Sequence, residues 1–158
     1  TEHRLEIMKD SRTGVYGVLI LALSLLMKVF ALASLVTLGG MSAAAALLAA
    51  GIAARTALVW HWTELESARP GGVADHAGRP DEESLSFALV TGIPVAAVIV
   101  LIVFSLSSAV LAALLVVIAS FAFVRLCRDK IGGFTGDTLG AASQIAEVAA
   151  LIALACSL

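Results

Sequence analysis

Apolar and polar residues follow one another in long blocks rather than in short alternation. Five apolar stretches stand out, at roughly 15–38, 42–60, 87–106, 108–124 and 138–158, separated by charged or glycine-rich segments. Each is long enough to cross about 30 Å of hydrocarbon at a rise of about 1.5 Å per residue. A backbone inside hydrocarbon must satisfy its own hydrogen bonds, so runs of this length predict helices. The block pattern therefore predicts an all-α, polytopic membrane protein of about five transmembrane helices, a single membrane domain over residues 1–158. Gly92 and Pro94, near the start of the third stretch, predict a kink there or a helix beginning one turn later.

The connections divide into two kinds. Those at 37–42 and 105–108 are short and uncharged, whereas 61–86 and 125–137 carry charge and glycine and read as loops. With alternating crossings, the N-terminus and both charged loops share one side of the bilayer. Of the 10 Lys and Arg, all but Lys28 and Arg55 fall on that side: Arg4, Lys9, Arg12, Arg69, Arg79, Arg125, Arg128 and Lys130. Such asymmetry predicts a cytoplasmic N-terminus and cytoplasmic loops. Of the 12 acids, all but Glu147 lie there too, which makes this face the expected working surface.

Composition agrees, with 60% hydrophobic residues, 14% charged residues and a mean hydropathy of +1.02. Soluble domains carry about 25% charged residues. Cys127 and Cys156 match no metal or redox spacing and are expected to be packing thiols. His61 and His76 have no third residue at ligand spacing, and we expect no zinc site. No phosphate-binding P-loop, nucleophile elbow or nucleic-acid patch is found. The chain opens on Thr1 and a mostly polar stretch, so we expect the C-terminal part of a longer product. Oligomeric state is left open.

Lys28, Arg55 and Glu147 lie inside predicted spans. Ionisable groups there are costly and mark function or an internal ion pair. Arg55 is near enough to the end of its helix to snorkel, and Glu147 pairs with Lys28 or Arg55 in the structural alternative.

Three constellations carry candidate chemistry. In Arg4–Gly14, Glu6 and Asp10 share a helical face and suit Mg²⁺, with Lys9 and Arg12 beside them for phosphate oxygens. The alternative is a solvated amphipathic lead-in. In Ile131–Gly140, three glycines precede a helix start that favours anions, and Asp137 is a candidate N-cap. From Asp137 the positions Gly140, Gln144 and Glu147 form one polar stripe along an otherwise apolar helix. In Arg69–Pro80, glycine and proline shape a loop whose Arg69 and Arg79 are placed to grip a phosphorylated ligand or to act as membrane anchors.

At these three places the sequence resembles cobalamin synthase, the adenosylcobinamide-GDP ribazoletransferase family. The strings RLEIMKDSRTGVYG and GGFTGDTLGAASQIAE resemble family motifs closely, and ARPGGVADHAGRP resembles the family's cytoplasmic loop more loosely. The resemblance implies a Mg²⁺-dependent, multi-pass transferase of the bacterial inner membrane with a cytoplasmic active face. It joins adenosylcobinamide-GDP to α-ribazole or its 5′-phosphate and releases GMP. It also implies Asp10, Arg12 and Asp137 as catalytic residues, Glu6 and Asp10 as metal ligands, and Lys9, Arg12, Arg69 and Arg55 as phosphate-binding residues. Ala54 precedes Arg55 where the family often has serine. The family's Asp-Gly-x-Ala-Asp-x-x-Asp-Gly motif has no counterpart in this chain. A transporter component or a non-catalytic membrane subunit is the rival reading.

Overall fold

The computed structural model describes residues 2–7 and 14–157, without the side chains of Glu2, His3 and Glu6. A short α1 (Glu2–Ile7) precedes α2 (Val15–Val36), α3 (Gly40–Glu64), a four-residue α4 (Val73–His76), α5 (Glu82–Val103), α6 (Leu106–Ile131) and α7 (Gly136–Cys156). Helices α2, α3, α5, α6 and α7 are long and apolar enough to cross a membrane, in agreement with the block pattern.

The helices end where caps dictate, beyond where hydropathy fades. Helix α5 begins at Glu82, five residues before the predicted 87. The Asp81 side chain accepts a hydrogen bond from the Ser84 amide, and Glu82 and Glu83 face the positive end of the helix dipole. Pro94 lies within α5 without ending it, so the expected late start is not observed. Helix α6 runs to Ile131 rather than 124, with Arg128 and Lys130 in a last turn whose dipole favours cations. It stops at Gly132, whose φ of 80° is a left-handed conformation that glycine adopts without steric cost. Helix α7 is capped by Thr135, which exchanges hydrogen bonds with Thr138 in a capping box. Asp137 is therefore not the N-cap; it sits in the first turn with its carboxylate exposed. These extensions shorten the two charged loops to 65–81 and 132–135.

The long helices pack through alanine. Ala43, Ala46, Ala50, Ala54 and Ala57 of α3 meet Ala146, Ala150 and Ala153 of α7 in a buried interior. Small residues allow the close backbone approach on which membrane helix packing depends. At Gly92 of α5 an added Cβ would run into the Thr56 side chain of α3. The outward faces carry large exposed apolar residues such as Phe30, Phe87, Ile102 and Phe121, as a lipid-facing surface requires. Cys127 is buried, as expected for a packing thiol, whereas Cys156 is exposed because the last turn of α7 points it outward.

Candidate functional site

The ends of α3 and α6 each release a short strand-like segment, and the two segments pair. The Ala68 amide donates to the Phe134 carbonyl at 2.9 Å, and the Phe134 amide donates to the Glu66 carbonyl at 2.8 Å. Phe134 is almost wholly buried and meets Trp62 edge-on, so it anchors the junction. This pairing brings the 65–81 loop, which holds Arg69 and Asp75, against the start of α7, which holds Asp137.

Between them lies a pocket of about 390 Å³, lined in part by Ser67, Arg69, Gly72, Asp75, Thr135, Gly136 and Asp137. Arg69 donates through Nη2 to the Leu5 carbonyl of α1 at 3.0 Å. Arg4 donates to the Lys130 carbonyl at 3.0 Å. The three segments singled out in the sequence thus meet on one face, although they are far apart in the chain. Glu6 (its side chain), Lys9, Asp10 and Arg12 lie outside the described residues.

Arg79 is placed differently from the expectation of a ligand grip. Its Nε and Nη2 both donate to the Thr63 carbonyl, which closes the C-terminal end of α3. Arg128 and Glu64 form an exposed ion pair at 2.7 Å across the α6 and α3 ends. An isolated exposed pair of this kind contributes well under about 1 kcal/mol.

Asp75 shapes the pocket's outer wall. The Gly71 amide donates to its Oδ2 at 2.8 Å, and that bond, followed by one from the Ser67 hydroxyl, holds its carboxyl below the usual value of 3.8. A carboxyl depressed in the folded state favours folding above its unfolded pKa and loses that contribution as pH falls through its lower folded value. The Gly71 amide proton shift should therefore titrate with a midpoint below 3.8, and Asp75→Asn should abolish the titration. A midpoint at or above that value would remove the turn from this account. The turn was not singled out in the sequence; an aspartate four residues beyond Gly71, in a glycine-rich stretch, was the available signal.

From the pocket a polar line descends α7. Asp137, Gly140 and Gln144 are exposed and Glu147 is half-buried, as the stripe predicts. At its deep end, Lys28 Nζ donates to Gln144 Oε1 at 2.6 Å and to Glu147 Oε1 at 3.0 Å. Arg55 Nη1 lies 3.6 Å from Glu147 Oε2. One carboxylate thus faces two cations, and the pairing expected with either of them occurs with both. The Lys28 and Glu147 side chains are 15% and 13% exposed, while Arg55 is 69% exposed and also reaches the Gly51 carbonyl.

Comparison with known proteins places this geometry. A sequence model described as cobalamin-5-phosphate synthase matches residues 1–155. An adenosylcobinamide-GDP ribazoletransferase of Rhizobium johnstonii is 44% identical over 158 residues, covering 99% of this chain and 61% of that relative. Its counterpart from Rhizobium etli is 43% identical with the same coverage of both chains, and that from Brucella ovis is 39% identical, again covering 99% and 61%. This chain therefore spans about 61% of the length of these curated relatives. No solved structure matches. Five bilayer-length helices, the motif-bearing segments gathered on one face and a family match over nearly every residue agree, and the chain belongs to the cobalamin-5-phosphate synthase family.

Proposed function

We propose that this chain forms part of a transferase that joins adenosylcobinamide-GDP to α-ribazole or its 5′-phosphate and releases GMP. The observation that carries this reading is the shared pocket of Arg69 and Asp137, with α1 tied to Arg69 at its edge. The relatives' names supply the substrate class. The pocket supplies a cation and acids at the surface of a membrane domain, the chemistry needed to receive a phosphate ester and manage its charge.

The bond that forms joins a ribazole hydroxyl oxygen to the cobinamide-side phosphorus, the phosphoanhydride bond that breaks frees GMP, and the hydroxyl proton passes to solvent. Arg69 holds phosphate oxygens at the pocket wall. Lys9 and Arg12 are assigned the same role from the sequence, as is Arg55, which lies beside Glu147 on the polar line below the pocket. Asp137 orients the phosphate-binding cations or a metal-bound water.

Mg²⁺ is the proposed cofactor, with Glu6 and Asp10 as its ligands. Carboxylate oxygens are the donors it prefers, and Asp137 and Asp75 add two at the pocket, so the donor chemistry fits. Among the described residues no three acids, histidines or cysteines gather into a complete metal site. Bound Mg²⁺ neutralises charge on a pyrophosphate. The positive-inside pattern supports a cytoplasmic position for the pocket, in a bacterial inner membrane.

The test is GMP release from adenosylcobinamide-GDP by the full-length enzyme, with and without Mg²⁺. Asp10→Ala should abolish Mg²⁺-dependent product while the protein stays in the membrane. Asp137→Ala should lower turnover about 10- to 100-fold, the range typical of residues that orient a metal site. Arg69→Ala should raise KM for the nucleotide substrate more than it lowers kcat. Unchanged kinetics in all three variants would sink the site assignment.

A further inference from the structure

On the other side of α3, away from Arg55, a second cavity of about 410 Å³ lies among α3, α5, α6 and α7. Half of its lining residues are alanine, including Ala53, Ala97 and Ala113, whose side chains are too short to reach across it. Helices α5 and α6 both line the cavity and make little contact with each other, which leaves a gap between them. Along α3 it runs from Ala49 to Trp60, about 16 Å at helical rise. That length is close to half the roughly 30 Å hydrocarbon core, the depth of one leaflet.

Its end nearest the polar face is marked by aromatic residues. Trp60 of α3 stacks with Phe121 of α6 at a centroid distance of 6.1 Å, at the level where aromatic side chains favour the membrane interface. Beside them lies Ser120, 9% exposed, whose hydroxyl has no hydrogen-bond partner. Arg125 stands five residues further along α6, about 7.5 Å toward the polar face. A buried hydroxyl without a partner is uncommon and points to a missing acceptor or donor.

We propose that this slot holds one acyl chain of a membrane phospholipid, admitted between α5 and α6, with its ester carbonyl accepting a hydrogen bond from Ser120. The shape selects the occupant: an elongated, apolar slot with an unpartnered hydroxyl near its interfacial end matches a chain attached to an ester. A compact apolar molecule would leave most of its length empty. Trp60, Phe121 and Arg125 then stand at the depth of the lipid's glycerol and phosphate groups.

This chain holds 2 tryptophans, Trp60 and Trp62; in the full-length protein Trp62 and any tryptophan outside this chain are replaced by Phe, which leaves Trp60 as the reporter. That variant is reconstituted in phosphatidylcholine vesicles containing a minor fraction of phosphatidylcholine with brominated acyl chains, which quench tryptophan on contact. Trp60 should be quenched at least twofold more than in the same protein carrying Ala97→Leu or Ala113→Leu, either of which narrows the slot. Two plugged variants guard against one failing to fold, and helical circular dichroism checks both. Equal quenching with the slot open and plugged would mean ordinary surface lipid and would overturn the proposal. Absence of quenching in the open protein would mean that another part of a longer chain fills the slot, and would overturn it equally.

Discussion

Replacing Glu147 with alanine should destabilise the membrane domain by about 3 kcal/mol, the cost of leaving a lysine without a counter-charge in the middle of a membrane helix. Lys28 is only 15% exposed, and both its hydrogen-bonding partners, Gln144 and Glu147, come from α7. Without the carboxylate its ammonium keeps a single neutral acceptor. Removing one partner of a buried pair costs far more than removing both. Lys28→Met combined with Glu147→Leu should therefore recover most of the loss. Arg55→Ala should cost much less, because the Arg55 side chain is 69% exposed and lies 3.6 Å from the carboxylate. Thermal unfolding of the purified protein in detergent reads all three. Glu147→Ala unfolding at the native temperature would show that water or lipid headgroups already neutralise Lys28.

The pair also fixes α2 in place. Residues 15–23 of α2 are exposed throughout, and its buried contacts begin only near its far end, at Ala31 and Leu35. The Lys28 contacts to α7 thus hold α2 nearer the polar face on which the pocket opens than its buried residues do. Loss of Glu147 should loosen the first half of α2, which follows directly on the segment assigned to phosphate and metal binding.

Gly133→Ala should produce the second large effect, expressed in activity more than in helix content. A Cβ at this position would collide with the Glu66 carbonyl oxygen and come within 3.0 Å of the Ala68 amide nitrogen. Both obstacles are backbone, so no side-chain rotation relieves them. The chain must separate there, and the separation breaks the two hydrogen bonds that join the 65–81 loop to the start of α7. Two lost backbone bonds amount to about 2 kcal/mol, and the pocket between Arg69 and Asp137 opens. The full-length enzyme should lose most of the proposed GMP release, and a glutamate-specific protease should cleave faster after Glu66, in the loop that the lost bonds release. Gly40→Ala is the matched control, because a Cβ there meets open space. Gly133→Ala with native turnover would show that the junction does not set the pocket.

Block hydropathy alone located all five membrane helices, because satisfying the backbone in hydrocarbon leaves a long apolar segment no alternative to helix. It placed their ends less well. Asp81, Thr135, Arg128 and Gly132 extend or stop helices through local hydrogen bonds and dipole interactions, to which hydropathy is blind. The late start expected at Pro94 is not observed for a related reason. A proline removes one backbone donor, and within a bilayer-length helix the remaining bonds and the packing of Gly92 on Thr56 carry the helix on past it.

The polar stripe of α7 and the ionic pairing of Glu147 were likewise legible, since helical periodicity puts Asp137, Gln144 and Glu147 on one side and an unpaired charge is too costly to leave in a membrane. Other features belong to the tertiary structure alone. Nothing in the order of residues shows that Phe134 pairs its backbone with Glu66 and Ala68, or that Arg69 reaches Leu5 while Arg79 turns back to cap α3. Those outcomes depend on how α3, α6 and α7 come together. Local sequence determines which segments cross the bilayer and which carry charge, because each such choice is settled within one helix. Which loops meet, and which arginine is left facing a pocket, is settled only when separate helices pack and their ends compete for the same few carbonyls.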